Sequence, residues 1–296
     1  MESFLVFPHS FRSQRTLRRP AVVHGHGLFG GADVTLRFLP ADENHGIVFE
    51  RVDLAAPVRI PATIASLVKM PRRTAIASGG ASVQMIEHVM AALAGLQVDN
   101  CLVQLDAPEP PGGDGSALFL ADALWEAGFE SQSAPRSIHA VQQSVVVEER
   151  SGSRISVAPT RDGSYRVSYS LDYGACAIPP QSFDVVLTPE SFIEQVAFAR
   201  TFILEEEVKF LQAQGIGLRA TPQSLLVFGP CGVIDNRLRA PDECARHKVL
   251  DCIGDFALIG SGLAGDFRAD RSGHHANHEV VRQLLRGAAD SATAAA

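Results

Sequence analysis

The sequence predicts an α+β protein built from two similar units packed through their helices. Two observations carry this. The stretch "AVVHGHGLFGGADVTLRFLPADENHGIVFERVDL" presents a Val-rich run, a glycine turn and partly alternating runs, and "QSVVVEERSGSRISVAPTRDGSYRVSYSLDY" repeats that order more than a hundred residues later. Each stretch is also followed, further on, by a segment of helical periodicity. The chain has 296 residues, which suits about two domains at roughly 150 residues each.

The elements follow in chain order. Residues 21–54 read as antiparallel strands separated by Gly and Asp/Asn turns. "SVQMIEHVMAALAGL" (82–96) reads as a helix, with Met85, Val89, Ala92, Leu93 and Leu96 on one face and Gly95 near its end. "NCLVQLDAP" reads as a strand, "PEPPGGDGSA" as a loop in which Asp114 makes a turn and Gly115 takes positive φ, and "LFLADALWEAGF" as a second helix. The polar "ESQSAPRS" (130–137) is the best linker candidate. In the second unit, "LEEEVKFLQAQGI", "RHKVLDCIGDFALIG" and "SGHHANHEVVRQLLRGAAD" are helical, and the tail "SATAAA" is expected to fray.

Composition narrows the function. Apolar residues make up 46% of the chain and charged residues 20%, which is ordinary for a globular protein with ample core. A net charge of −7 with no long Lys/Arg block argues against a nucleic-acid partner. No apolar run is long enough to span a bilayer, and "MESFLVFPHSFRSQR" lacks the apolar core of a signal peptide. Five cysteines without a C-x-x-C pair fit reduced thiols and a cytoplasmic location.

The chemistry concentrates on two of the helices. In "RHKVLDCIGDF", His247, Asp251 and Asp255 recur every four residues and so share one face. That face is turned either to water or to chemistry. "IEHVMAALAGL" places Glu87 and His88 at the start of an apolar helix. His88, His247 and Asp251 together make two imidazoles and a carboxylate, a set that leaves a fourth zinc position open. Glu87, next to a ligand without being one, suits the role of base. His274, His275 and His278 follow a Ser-Gly turn. One of them could serve as the acid, with Asp255 orienting it.

The combination "IEHVMAALAGLQVDN", "GDGSA", "ARTF", "RHKVLDCIGDF" and "SGHHANH" resembles, in that order, the UDP-3-O-acyl-N-acetylglucosamine deacetylases, the zinc amidases of lipid A biosynthesis. "QRTLRRP", "HGHGLFGG" and "GIVFERVDL" resemble that family's N-terminal strands, so the likeness runs over about residues 14–285. It implies a two-domain α+β fold, with residues 1–130 and 138–296 each forming a β-sheet packed on helices and the active site between the two helix layers. It implies Zn2+ on His88, His247 and Asp251, Glu87 as base, and His274 as acid with Asp255 as partner. It further implies Thr201 at the oxyanion, and Lys248, Phe202, Arg271 and Tyr173 at the substrate. The expected partner is an acylated UDP-amino sugar, met by a monomer in transient contact with the inner membrane surface.

Four departures from the family pattern fall where the substrate would pass. "GLFGG" puts Phe29 in place of a histidine. "PGGDGS" puts Gly112 and Gly113 in place of bulkier residues and makes them more flexible. "ARTFIL" lacks a glycine after Phe202, and "GLRATPQSLLVFGP" replaces a shorter polar stretch. These bear on acyl length and substrate identity. They leave open a paralogous zinc deacetylase of another N-acyl sugar nucleotide. A sugar-nucleotide binding protein without activity is also open, although intact Glu87 and His274 argue against it.

Overall fold

The computed structural model describes residues 12–174 and 177–294, with side chains described as far as 287. The signal-peptide question at residues 1–11 therefore lies outside the described residues, as does Cys176. Of the expected frayed tail, 291–294 continue a helix and 295–296 lie outside.

The first unit opens with β1 (Ser13–Leu17), β2 (Ala21–His26), β3 (Asp33–Pro40), β4 (Ile47–Arg51) and β5 (Val58–Pro61). A small three-stranded sheet follows, made of β6 (Leu67–Val68), β7 (Ala75–Ser78) and β8 (Ala81–Gln84). Then come α1 (Glu87–Gly95), β9 (Cys101–Leu105), α2 (Leu118–Ala127) and β10 (Phe129–Pro135). The main sheet has the order β2-β3-β9-β4-β5, with β9 antiparallel to β3 and parallel to β4.

The second unit runs β11 (Ile138–Ala140), β12 (Val145–Glu148), β13 (Arg154–Ala158), β14 (Tyr165–Leu171), β15 (Gln181–Val186) and α3 (Pro189–Gln195). It continues with β16 (Phe202–Leu204), α4 (Glu205–Gln212), β17 (Leu226–Gly229), β18 (Gly232–Val233), α5 (Glu243–Phe256), β19 (Gly262–Asp270) and α6 (His274–Ala294). Its main sheet has the order β12-β13-β19-β14-β15, with β19 antiparallel to β13 and parallel to β14. Position by position this is the first sheet again. In both units two hairpins are completed by a late strand that enters the middle, between a preceding and a following helix. The expected repeat of sheet-on-helix units is what the chain forms.

The helix preceding the central strand explains how the halves join. α1 is nearly all apolar and buried on every side, as a helix caught between its own sheet and a second helix must be. The second helix is α5, whose Gly254 lets the backbones touch. A Cβ there would sit 2.0 Å from the Glu87 carbonyl oxygen.

Two expectations of local structure need correction. Residues 130–137 are not a linker: β10 covers most of them and pairs antiparallel with β1. Their polar alternation suits a two-stranded ribbon wet on one face, which composition alone cannot tell from a loop. The helix expected over 82–96 begins only at Glu87, because Ser82–Gln84 pair with β7 and Met85 takes φ 59°, a left-handed break. Breaking there puts Glu87 and His88 in the first turn, at the end of the helix that faces the other unit.

Candidate active site

The α5 stripe faces inward. His247, Asp251 and Asp255 are each less than 5% exposed, so the face seen in the sequence is not a solvated one. His88, from the first turn of α1, meets this stripe with its ring centroid 5.1 Å from that of His247 and nearly perpendicular to it. Nε2 of His88 is 3.8 Å, and Nε2 of His247 3.4 Å, from Asp251 Oδ1. Ligand atoms of His88, His247 and Asp251 all lie within 4.8 Å of one another.

The state of each donor suits a cation. The carbonyl of Ala199 lies 3.0 Å from His247 Nδ1 and can accept its proton, which leaves Nε2 as the lone-pair nitrogen aimed at Asp251. Burial, together with the neighbouring His247, pushes the His88 imidazole down to about 3, so it is neutral and able to bind a metal. Burial opposes the charge on Asp251, yet the Lys248 ammonium, donating at 2.7 Å, and His247 hold its carboxyl well below the usual range.

A second group of residues adjoins the first. Glu87 is 2% exposed; its Oε2 accepts from the Thr74 amide at 3.1 Å and its Oε1 lies 4.0 Å from His274 Nε2. Burial pushes the Glu87 carboxyl up to about 7, opposed by His274 and reinforced by Asp255 and Asp251. His274 stands at the start of α6, with Nδ1 2.7 Å from Asp255 Oδ2. Burial works against its imidazolium, but Asp255 outweighs burial and holds His274 up at about 9. Asp255 itself accepts from Thr74 Oγ1 at 2.5 Å and from Asn277 Nδ2 at 2.8 Å. The site thus has a carboxylate poised near neutrality facing an imidazolium across 4.0 Å. Such an arrangement can take a proton on one side and give one on the other.

A cavity of about 1130 Å³ opens onto these groups. Glu87, His88, Thr201, His247, Asp251 and His274 line it where the two units meet, and Leu28, Phe29, Val208, Leu211, Ile216 and Val227 give it an apolar extension. That extension suits an alkyl chain.

A family model described as UDP-3-O-acyl N-acetylglycosamine deacetylase matches residues 14–286. The chain belongs to that family. It is 38% identical over 279 residues to the UDP-3-O-acyl-N-acetylglucosamine deacetylase of Myxococcus xanthus, covering 94% of this chain and 88% of that protein. It is 38% identical over 274 residues to that of Citrifermentans bemidjiense (92% and 89% covered) and 36% identical over 276 residues to that of Mannheimia succiniciproducens (92% and 90%). The family is one of metalloenzymes, and among the described residues of this member the buried His-His-Asp triad could hold the ion.

The remaining expected residues fall differently within this family member. Thr201 lines the cavity, its amide donating to the Gly115 carbonyl at 2.8 Å and its carbonyl accepting from the Leu226 amide at 2.9 Å. Phe202 opens β16, with its ring 6.1 Å from His247 on one side and 6.1 Å from Tyr173 on the other. Tyr173 lines the cavity and is half exposed. Lys248 lines it too, part-buried, with its Nζ 5.9 Å from the centroid of the Tyr169 ring. Arg271 is outside the lining: its guanidinium donates to Asp270 at 2.8 Å and to the Gly152 carbonyl at 3.1 Å. His275 is exposed on Glu149, whereas His278 is buried beside Thr74 and Asp255.

Among the departures, Phe29 lines the cavity with the Arg73 guanidinium 4.4 Å from its ring centroid. Both carboxylate oxygens of buried Glu109 grip its loop through the Phe29 and Gly30 amides, at 2.7 and 2.9 Å. Gly113 is a requirement here as much as a source of flexibility, since its φ is +55° and a Cβ would lie 2.4 Å from the Phe119 ring. Gly115 has the positive φ expected of it, +85°.

Sequence reasoning missed Thr74 and Asn277. A threonine before a strand and an asparagine in a helix carry no chemical signature. Asn277 sits one turn from His274, however, and that spacing could have pointed to it.

Proposed function

We propose that this chain hydrolyses the acetamide of UDP-3-O-acyl-N-acetylglucosamine, releasing acetate and the free amine in lipid A biosynthesis, with Zn2+ held by His88, His247 and Asp251. The observation that supports this best is the buried triad with Glu87 and His274 placed beside it on opposite helices. The donor chemistry fits zinc: two neutral imidazoles and one ionised carboxylate. Bound there, zinc supplies Lewis acidity toward the acetamide carbonyl and makes water a stronger acid.

The chain's own residues do the rest. Glu87, oriented by the Thr74 amide, takes the proton of the attacking water. Thr201 steadies the oxyanion that develops on the carbonyl oxygen. His274, kept cationic by Asp255, balances that charge and gives its proton to the departing nitrogen as the C–N bond breaks. Phe202 and Tyr173 form an aromatic wall that suits the uracil ring. Lys248 suits the diphosphate. Arg271 would have to exchange its bonds to Asp270 and the Gly152 carbonyl to reach it.

The acyl chain takes the apolar extension between the Phe29 loop and α4. Exposed Val68, Met70, Phe210 and Leu218 lie on the segments flanking that extension, which is where a monomer would touch the membrane surface. The two domains divide at Arg136–Ser137, between β10, paired to the first unit, and β11, paired to β19.

Metal analysis of the purified protein alongside acetate release from acylated and unacylated UDP-N-acetylglucosamine tests the reading. One zinc per chain and release from the acylated substrate alone are expected. Zinc-loaded protein that releases acetate from neither would overturn it.

A further inference from the structure

The α5 stripe extends one turn further back than His247, to Glu243. Glu243 is fully buried and is not among the cavity-lining residues. It grips Arg200, itself 4% exposed. Nε of Arg200 donates to Oε1 at 2.7 Å and Nη2 to Oε2 at 3.1 Å, while the Arg200 amide donates to Oε1 at 3.2 Å. The rest of the fork is used as well, on Asn236 Oδ1 at 3.0 Å and on the Arg237 carbonyl at 2.7 Å. Arg239 completes the frame. Its amide donates to Glu243 Oε2 at 2.6 Å, and its guanidinium to the Phe198 carbonyl at 2.8 Å and to Asp114 at 2.5 Å.

What this frame holds is the segment Ala199–Arg200–Thr201. Ala199 presents its carbonyl to Nδ1 of His247, one turn along from Glu243 on the same helix. Thr201, on the other side of Arg200, is hung from the Gly115 carbonyl of the loop that Arg239 reaches through Asp114. One helix therefore supplies both an imidazole and, through Glu243 and Arg200, the acceptor that sets that imidazole's tautomer.

We infer that the buried Arg200–Glu243 pair is a positioning device that couples the His247 tautomer to the placement of Thr201, and so links the metal site to the oxyanion site. This rests on the roles given above to His247 and Thr201. Neither Arg200 nor Glu243 touches the substrate space. The work of the pair is geometric, because a fork of several charge-assisted bonds fixes a backbone segment more closely than packing alone. Removing a group that orients a metal ligand typically costs about 10–100-fold in metal affinity or activity.

The test uses Glu243→Gln, with Arg200→Lys as a second variant if the first does not fold, each alone and combined with Thr201→Ala. Chelator competition reads zinc affinity, and kcat and KM are measured per zinc-loaded molecule. Long-range proton–nitrogen spectra of metal-free protein read the His247 tautomer. The expected result for Glu243→Gln is a loss of zinc affinity of about tenfold or more, a mixed His247 tautomer, and a fall in kcat with KM nearly unchanged. In the Thr201→Ala background the further loss of kcat should nearly vanish, since the side chain that Glu243 and Arg200 help to place is then already gone.

Unchanged zinc affinity and tautomer in a folded variant, or kcat losses that simply multiply, would overturn the inference. If Thr201→Ala is itself silent, it is the role of Thr201 that fails, and zinc affinity and tautomer then decide the Arg200–Glu243 pair alone.

Discussion

Gly254 of α5 lies against the backbone of Glu87 in α1, so close that a Cβ at 254 would be 2.0 Å from the Glu87 carbonyl oxygen and 3.1 Å from its Cα. The base of the proposed reaction is thus placed by the one residue type without a side chain, contributed by the other half of the molecule. In an exposed helix, replacing Gly by Ala stabilises by about 1 kcal/mol. Here the backbone it would strike cannot swing away as a side chain could.

Gly254→Ala is therefore expected to destabilise by about 1–3 kcal/mol and to weaken metal binding, because His88 and His247 sit on the two helices it forces apart. Thermal melting and chelator competition check this. A melting temperature equal to or above that of the parent would contradict the close crossing.

His88→Ala, His247→Ala and Asp251→Ala should each lower bound metal sharply, since two protein ligands make too few for a catalytic site. Elemental analysis after dialysis reads the result. Full occupancy and activity in His247→Ala would show that the stripe binds no ion.

The pH dependence of kcat/KM should be bell-shaped. Glu87 must be deprotonated to act, so activity rises with pH through its pKa. Burial, outweighing the neighbouring His274, pushes that up to about 7. His274 must be protonated, so activity falls as pH rises through about 9. The limbs belong to the coupled pair. Glu87→Gln should flatten the acidic limb and His274→Ala the basic limb, both with metal retained. Asp255→Asn should also keep metal, lower kcat and move the basic limb to lower pH, because an amide stabilises the imidazolium less than a carboxylate does. An unaltered bell in all three would assign the chemistry elsewhere.

Thr74→Val keeps the backbone amide that holds Glu87 but removes the hydroxyl shared by Asp255 and His278. The expected cost is about 1–3 kcal/mol of stability from acceptors left unpaired, with the acidic limb in place and kcat lowered. Urea denaturation together with the pH profile separates the two effects. A displaced acidic limb with an unchanged basic one would mean that Thr74 acts through Glu87 instead.

Much of the candidate site was legible because its spacing is local. His247, Asp251 and Asp255 fall on one face through the period of the helix, and Glu87 and His88 mark themselves as polar residues at the head of an apolar helix. The repeat of the two units was legible for the same kind of reason, since strand alternation and glycine turns recur within short windows. Local pattern misled where two structures share one pattern: the polar ribbon β10 looked like a linker, and β8 merged into the periodicity of α1 until Met85 turned left-handed.

The residue types and their order determined the chemistry available to this protein: imidazoles, carboxylates and the helices to carry them. Tertiary structure alone decided which of them meet. Thr74 bonds Asp255 across 181 positions and His278 across 204, and Arg200 finds Glu243 across 43. Such pairs leave no periodic trace. The physical reason is burial: a polar group taken from water must find a partner wherever the packed units bring one, and the crossing of α1 over Gly254 selects which partners those are.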